Sequence, residues 1–120
     1  TKLKENQFET ALAVFQNWLK KFPQGDETTQ VQFSMATAYR KMKRYNSALK
    51  IYNEVFEPHA HKGKKAPTEA SEALWQAART LDERGDCDKS LGMYKYLVQL
   101  FKQSPRAAQA KTVLKDKNCQ

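Results

Sequence analysis

The chain has 120 residues, 40% of them hydrophobic, with 21 lysines and arginines against 13 aspartates and glutamates, a formal charge of +8. That length is one domain's worth and supports a modest core, while no apolar run approaches the roughly 20 residues a membrane span needs, so contact with a membrane is expected to be peripheral at most. Two cysteines are too few for an ordinary zinc site, and the charge favours acidic partners, anionic surfaces or nucleic acid without choosing among them, a solvated basic face accounting for it as well.

All four prolines, at 23, 58, 67 and 105, fall where helices should end or begin. Phe8, Ala11, Leu12, Phe15, Trp18, Leu19 and Phe22 keep steps of three and four residues, which predicts a helix over about 4–22 with one apolar stripe. Pro23, Gln24 and Gly25 stop it. Asp26 or Thr28 caps a second helix running to about Lys43, with the stripe Val31, Met35, Ala38, Tyr39 and Met42. After a turn at Lys43 and Arg44, the residues Tyr45, Ala48, Leu49, Tyr52, Val55 and Phe56 predict a third helix over 45–56. The stretch from Glu57 to Pro67 has no core-forming residue, carries His59, His61, Lys62, Lys64 and Lys65, and reads as a mobile loop. Thr68 with Ser71 or Glu72 starts a fourth helix to about Arg84, Thr68 and Ser71 spaced as a cap that lacks the Glu of a full capping box. Gly85 and Asp86 turn the chain into a fifth helix over about 88–102. Ser104 and Pro105 open a short sixth one to about Lys115, since a proline in the first turn gives up no needed N–H. There Ala107, Ala110, Val113 and Leu114 face inward, and Lys111 and Lys115 outward.

The last two helices are expected to run antiparallel. Counting back from their turn sets Cys119 opposite roughly position 90, about one turn from Cys87, where the α-carbons fall near the ~5.5 Å that a disulfide prefers. A Cys87–Cys119 bond would clamp the last helix, stabilise by about 3 kcal/mol and point to an oxidising compartment. The other reading is two unpaired cysteines.

A pattern repeats along these helices. It reads Phe8-x-x-Ala11-x-x-x-Phe15-x-x-Trp18, then Tyr45-x-x-Ala48-x-x-x-Tyr52-x-x-Val55, then Cys87-x-x-Ser90-x-x-x-Tyr94-x-x-Leu97. The small residue recurs after 37 and then 42 positions, a spacing that means stacked helical hairpins when the units are helices. With Met35, Ala36 and Tyr39 ahead of the second copy, Leu74, Ala77, Ala78, Leu81 and Gly85 ahead of the third, and Pro23 closing the first, the chain resembles the tetratricopeptide repeat. Cys87 and Ser90 depart from the aromatic and alanine usual there. The resemblance implies an all-α fold of antiparallel helical hairpins stacked as a right-handed superhelix with a C-terminal capping helix. One domain would cover 1–120: a half repeat over 1–25, repeats over 26–60 and 66–104, and the cap over 105–117. Small residues at Ala36, Ala48 and Ala78 would let helices approach, and Phe15, Tyr39, Tyr52 and Tyr94 would fill the gaps. The first helix lacks its usual partner, so the chain reads as a fragment of a longer protein or as exposing a surface through which it associates with itself or others. More finely, Leu19–Gly25 and Leu100–Ala110 resemble the bacterial envelope branch, which includes periplasmic Tol-Pal-associated coordinators and outer-membrane assembly lipoproteins.

Nothing in the sequence supports catalysis or a cofactor. It has no glycine-rich phosphate loop, no nucleophile elbow and no Ser/His/acid set, and the His59/His61 pair has no third ligand, so no metal is expected. Recognition is arguable instead, because the resemblance implies that the first helix of each hairpin lines the concave face. Phe33 and Trp75 take equivalent positions there, followed by Thr37 and Arg79, then Arg40, Lys41, Asp82 and Glu83. Aromatics with arginines are the mixture of binding hot spots. The expected site is a groove for an extended or helical peptide, with Arg40 and Arg79 reading acidic groups; equally, Phe33 and Trp75 pack between hairpins as core. The expected function is a non-enzymatic protein-interaction scaffold in a bacterial cell-envelope complex, periplasmic or envelope-associated. The alternatives are a cytosolic adaptor, a module attached to an enzyme, or a nucleic-acid binder, the last disfavoured because the aromatics follow core positions and not an exposed stacking platform.

Overall fold

Six α-helices follow one another in the computed structural model, which describes residues 2–22, 27–60, 68–116 and 119, with side chains from Gln7 onward. They are α1 (Lys2–Lys21), α2 (Thr28–Lys41), α3 (Tyr45–Phe56), α4 (Thr68–Arg84), α5 (Cys87–Leu100) and α6 (Pro105–Asp116). A 3-10 turn, Glu57–His59, continues α3 into the stretch read as a loop, whose residues 61–67 lie outside those described. Among the described residues there is no strand, and no helix is long and apolar enough to cross a membrane.

Each helix packs on the next in chain order, and α4 also meets α2 and α6. The molecule measures 40 × 35 × 17 Å, a thickness of about two helix diameters. The contacts place α2, α4 and α6 in one layer and α1, α3 and α5 in the other, the arrangement of stacked hairpins.

The centre of the stack is α4. It buries Ala70, Ser71, Ala73, Leu74, Trp75, Ala77, Ala78, Thr80 and Leu81. Four alanines along one helix keep its surface low, so neighbours on several sides come close without leaving voids. Ala36 and Ala48 do the same at the α2–α3 contact, and both are fully enclosed. A main cluster around Tyr52, Phe56, Leu74, Trp75, Tyr94, Leu97 and Phe101 joins α2 to α6. A smaller one, Leu12, Met35 and Ala38, ties α1 to α2, with Tyr39 and Ile51 packed against both.

The turns explain where helices stop. Lys43 N–H bonds the Arg40 carbonyl and Arg44 N–H bonds that of Tyr39; Gly85 and Asp86 repeat the pattern on Asp82 and Leu81. This double bond closes a helix with one left-handed residue, here Lys43 at φ 62 and Gly85 at φ 94. The α2 helix therefore ends at Lys41, ahead of the Lys43 expected, and a lysine holds a conformation that glycine adopts at lower cost.

The helix starts differ from the expected caps. The α2 N-cap is Glu27, with no side-chain cap, and the Thr28 hydroxyl donates back to the Phe22 carbonyl at 3.3 Å; Asp26 lies outside the described residues. At α4 the Ser71 hydroxyl donates to the Thr68 carbonyl at 2.9 Å, and Thr68 is itself the first helical residue and not the one before it. At α6 the Ser104 hydroxyl accepts from Ala107 N–H at 3.1 Å, ahead of Pro105.

Ser90, at the position where alanine is usual, is fully buried and its hydroxyl has no hydrogen-bond partner. Ser90→Ala is therefore expected to raise unfolding stability by about 1 kcal/mol in urea titrations. A loss of stability would mean that the hydroxyl is bonded in solution.

Candidate recognition face

The α2, α4 and α6 layer carries a polar ladder that crosses all three helices. Arg40 pairs with Glu83 and donates to Gln76 Oε1 at 2.6 Å. Gln76 donates to Glu72 Oε1 at 2.9 Å, Arg106 donates to the same oxygen at 3.0 Å, and Arg106 also reaches Gln109 at 2.7 Å. Burial disfavours the Glu72 carboxylate, but its bonds to Arg106 and Gln76 outweigh that and hold its pKa below the ordinary value. Burial likewise opposes the charge on Arg40, and Glu83 and Tyr52 more than restore it.

Beneath the ladder lies a repeated aromatic pair. Phe33 of α2 meets Tyr52 of α3 with ring centroids 6.0 Å apart, and Trp75 of α4 meets Tyr94 of α5 at 5.3 Å. Both pairs stand at equivalent places of successive hairpins. Their tyrosine hydroxyls also meet equivalent residues, with opposite polarity. Tyr52 accepts from Arg40 at 3.5 Å, whereas Tyr94 donates to Asp82 at 3.4 Å. Burial, with the Asp82 charge behind it, raises the Tyr94 pKa to about 12.

The proposed groove residues thus divide. Trp75 is only 7% exposed, and the Arg106 guanidinium lies 5.0 Å over its ring. Of the two readings of this residue, core is correct: α6 and Tyr94 cover it, so it is no open groove anchor. Phe33 is half-buried against the same core. Arg40 does not stand free to read acidic groups, because its side chain is 14% exposed and engaged by Glu83, Gln76 and Tyr52. Asp82 is half-buried at Tyr94. Thr37, Lys41 and Arg79 remain exposed. The Thr37 hydroxyl donates to the Phe33 carbonyl at 2.9 Å, and Lys41 Nζ lies 5.8 Å from the Phe8 ring centroid.

Sequence reasoning missed Glu72, Gln76 and Arg106. Their partners lie 34 to 36 residues away, beyond any local pattern. One signal was present: Glu72, Gln76, Arg79 and Glu83 step by three and four along α4, a polar stripe on one face.

Two further features flank this face. Cys87 and Cys119 are joined in a disulfide with α-carbons 5.7 Å apart. Along α1 and just past its end, Val14 is 60% and Phe22 53% exposed, with the Trp18 and Phe22 rings 5.2 Å apart. His59 is half-buried in the 3-10 turn, and His61 lies outside the described residues. Among the described residues no group of three His, Cys, Asp or Glu is placed to hold a metal ion.

A family model described as tetratricopeptide repeat matches residues 30–57 and 72–104, just over half of the chain. Those two stretches contain most of α2 with α3, and most of α4 with all of α5. No curated protein matches the chain.

Proposed function

The chain belongs to the tetratricopeptide repeat family, whose repeats generally mediate protein–protein interaction, and from that premise we propose that it is a non-catalytic scaffold holding a partner peptide or protein in a bacterial cell-envelope complex. The observation that carries this reading is the α2–α4–α6 face. Thr37 and Arg79 stand exposed at equivalent positions of successive hairpins, on a layer that the Arg40–Gln76–Glu72–Arg106 ladder braces. A surface braced in this way loses little conformational freedom when it binds. The partner's acidic groups fall to Arg79 and Lys41, since Arg40 and Arg106 are already paired. The envelope reading is supported by the disulfide, which persists in oxidising compartments, and by the likeness of Leu19–Gly25 and Leu100–Ala110 to the envelope branch.

A photo-crosslinking residue at Thr37 in cells is expected to trap a discrete protein, and one at Lys50 in the opposite layer is not. Arg79→Glu should cut the trapping about tenfold while leaving the melting temperature nearly unchanged. Trapping that ignores position, or that captures nucleic acid, overturns the reading.

A further inference from the structure

Cys119 stands beyond the end of α6 and Cys87 in the first turn of α5, so their bond ties the far end of the last helix back onto the stack across 32 residues. That bond is not sealed inside. Both cysteines are half-buried and line a surface crevice of about 310 Å³ with Gly85, Asp86, Asp88 and Lys89. Otherwise α6 is held by its packing on α5 and α4. It buries only Ala107 and Ala110 fully, adds the half-buried Val113 and Leu114, and reaches α4 through Arg106 on Glu72 and over Trp75. A helix of 12 residues does not persist alone in water.

We propose that the Cys87–Cys119 bond is an exchangeable strap: a neutral dithiol reductant enters the crevice and opens it, α6 leaves the stack, and Trp75 with the α6 end of the recognition face is uncovered. The reductant's thiolate attacks Cys119 Sγ, and the electron pair of the broken bond leaves on Cys87 Sγ. That thiolate forms at the N-terminus of α5, where the backbone N–H groups favour negative charge. The second thiol of the reductant then displaces Cys119 from the mixed disulfide. Two electrons and two protons pass to the cysteines, and the reductant ends as its own disulfide. Asp86 and Asp88, flanking Cys87, oppose that thiolate in part and also repel a reductant that carries negative charge beyond its attacking sulfur, hence the neutral class. The consequence for recognition rests on reading α2, α4 and α6 as the binding layer; the strap itself does not.

The test needs no partner, so it stands or falls apart from that reading. In a Trp18→Phe background Trp75 is the sole tryptophan. Dithiothreitol added to the native protein is expected to free both thiols for alkylation. Acrylamide quenching of Trp75 should rise at least about twofold, and amide exchange over 105–116 should speed at least about tenfold, with α2 and α3 unchanged. Cys87→Ser with Cys119→Ser should reproduce both effects without reductant. A bond that yields only in denaturant overturns the proposal. So does an α6 that keeps its protection after reduction, or exchange that accelerates evenly along the whole chain.

Discussion

Trp75→Ala is expected to lower the stability of the chain by about 3–5 kcal/mol and its melting temperature by roughly 15 °C. The indole fills the junction of α4, α5 and α6: it is buried, its ring meets Tyr94 edge-on at 5.3 Å, and Arg106 closes it from α6. Truncation removes the transfer energy of a large aromatic and leaves a cavity at the junction of three helices, which closes only if they shift. It also leaves the Arg106 guanidinium without the ring it covers. Thermal unfolding followed by circular dichroism measures the effect. An unchanged midpoint would return Trp75 to the surface, and with it the idea of an aromatic anchor for the partner. Any loss of binding in this variant must therefore be read beside its stability, which is why Arg79, exposed and peripheral to the core, is the sharper probe of recognition.

The limits of the α3 and α4 helices were legible to the residue, because local chemistry marks them: the Lys43–Arg44 and Gly85–Asp86 turns, Pro58 after α3 and Pro67 before α4. The family's small and aromatic positions mark Ala36, Ala48, Tyr52 and Tyr94 as core, and all four are buried. What local pattern could not supply was the pairing of side chains across hairpins. An arginine two turns beyond an aromatic on a first helix looks available, and Arg40 has that look. Whether it is free depends on Glu83, 43 residues later in the chain. Trp75 poses the same difficulty, since core and groove readings share one periodicity, and the difference lies in whether α6 folds back over it. The Ser71 bond to the Thr68 carbonyl shows a smaller version: the spacing of a capping pattern was present, and the hydroxyl donates to a carbonyl where a cap would accept from an N–H.

The second large effect is expected at Tyr52, where Tyr52→Ala should cost about 3–5 kcal/mol while Tyr52→Phe costs well under 1 kcal/mol. Tyr52 is among the largest fully buried side chains, packs on Phe33, and belongs to the cluster that joins the hairpins. Its hydroxyl contributes little, since it receives only a long 3.5 Å contact from Arg40, whose stronger partners are Glu83 and Gln76. The equivalent Tyr94 differs in sign. Its hydroxyl is the donor, toward the half-buried carboxylate of Asp82 at a comparably long 3.4 Å, so Tyr94→Phe should cost about 1 kcal/mol at most. Urea titration of the two Tyr→Phe variants side by side tests this directly. Equal losses would mean that the hydroxyls do no more at one position than at the other. A larger loss at Tyr94 would show that successive hairpins share an aromatic framework while the charge set against it is reversed, which is how repeats of one shape come to present different faces to a partner.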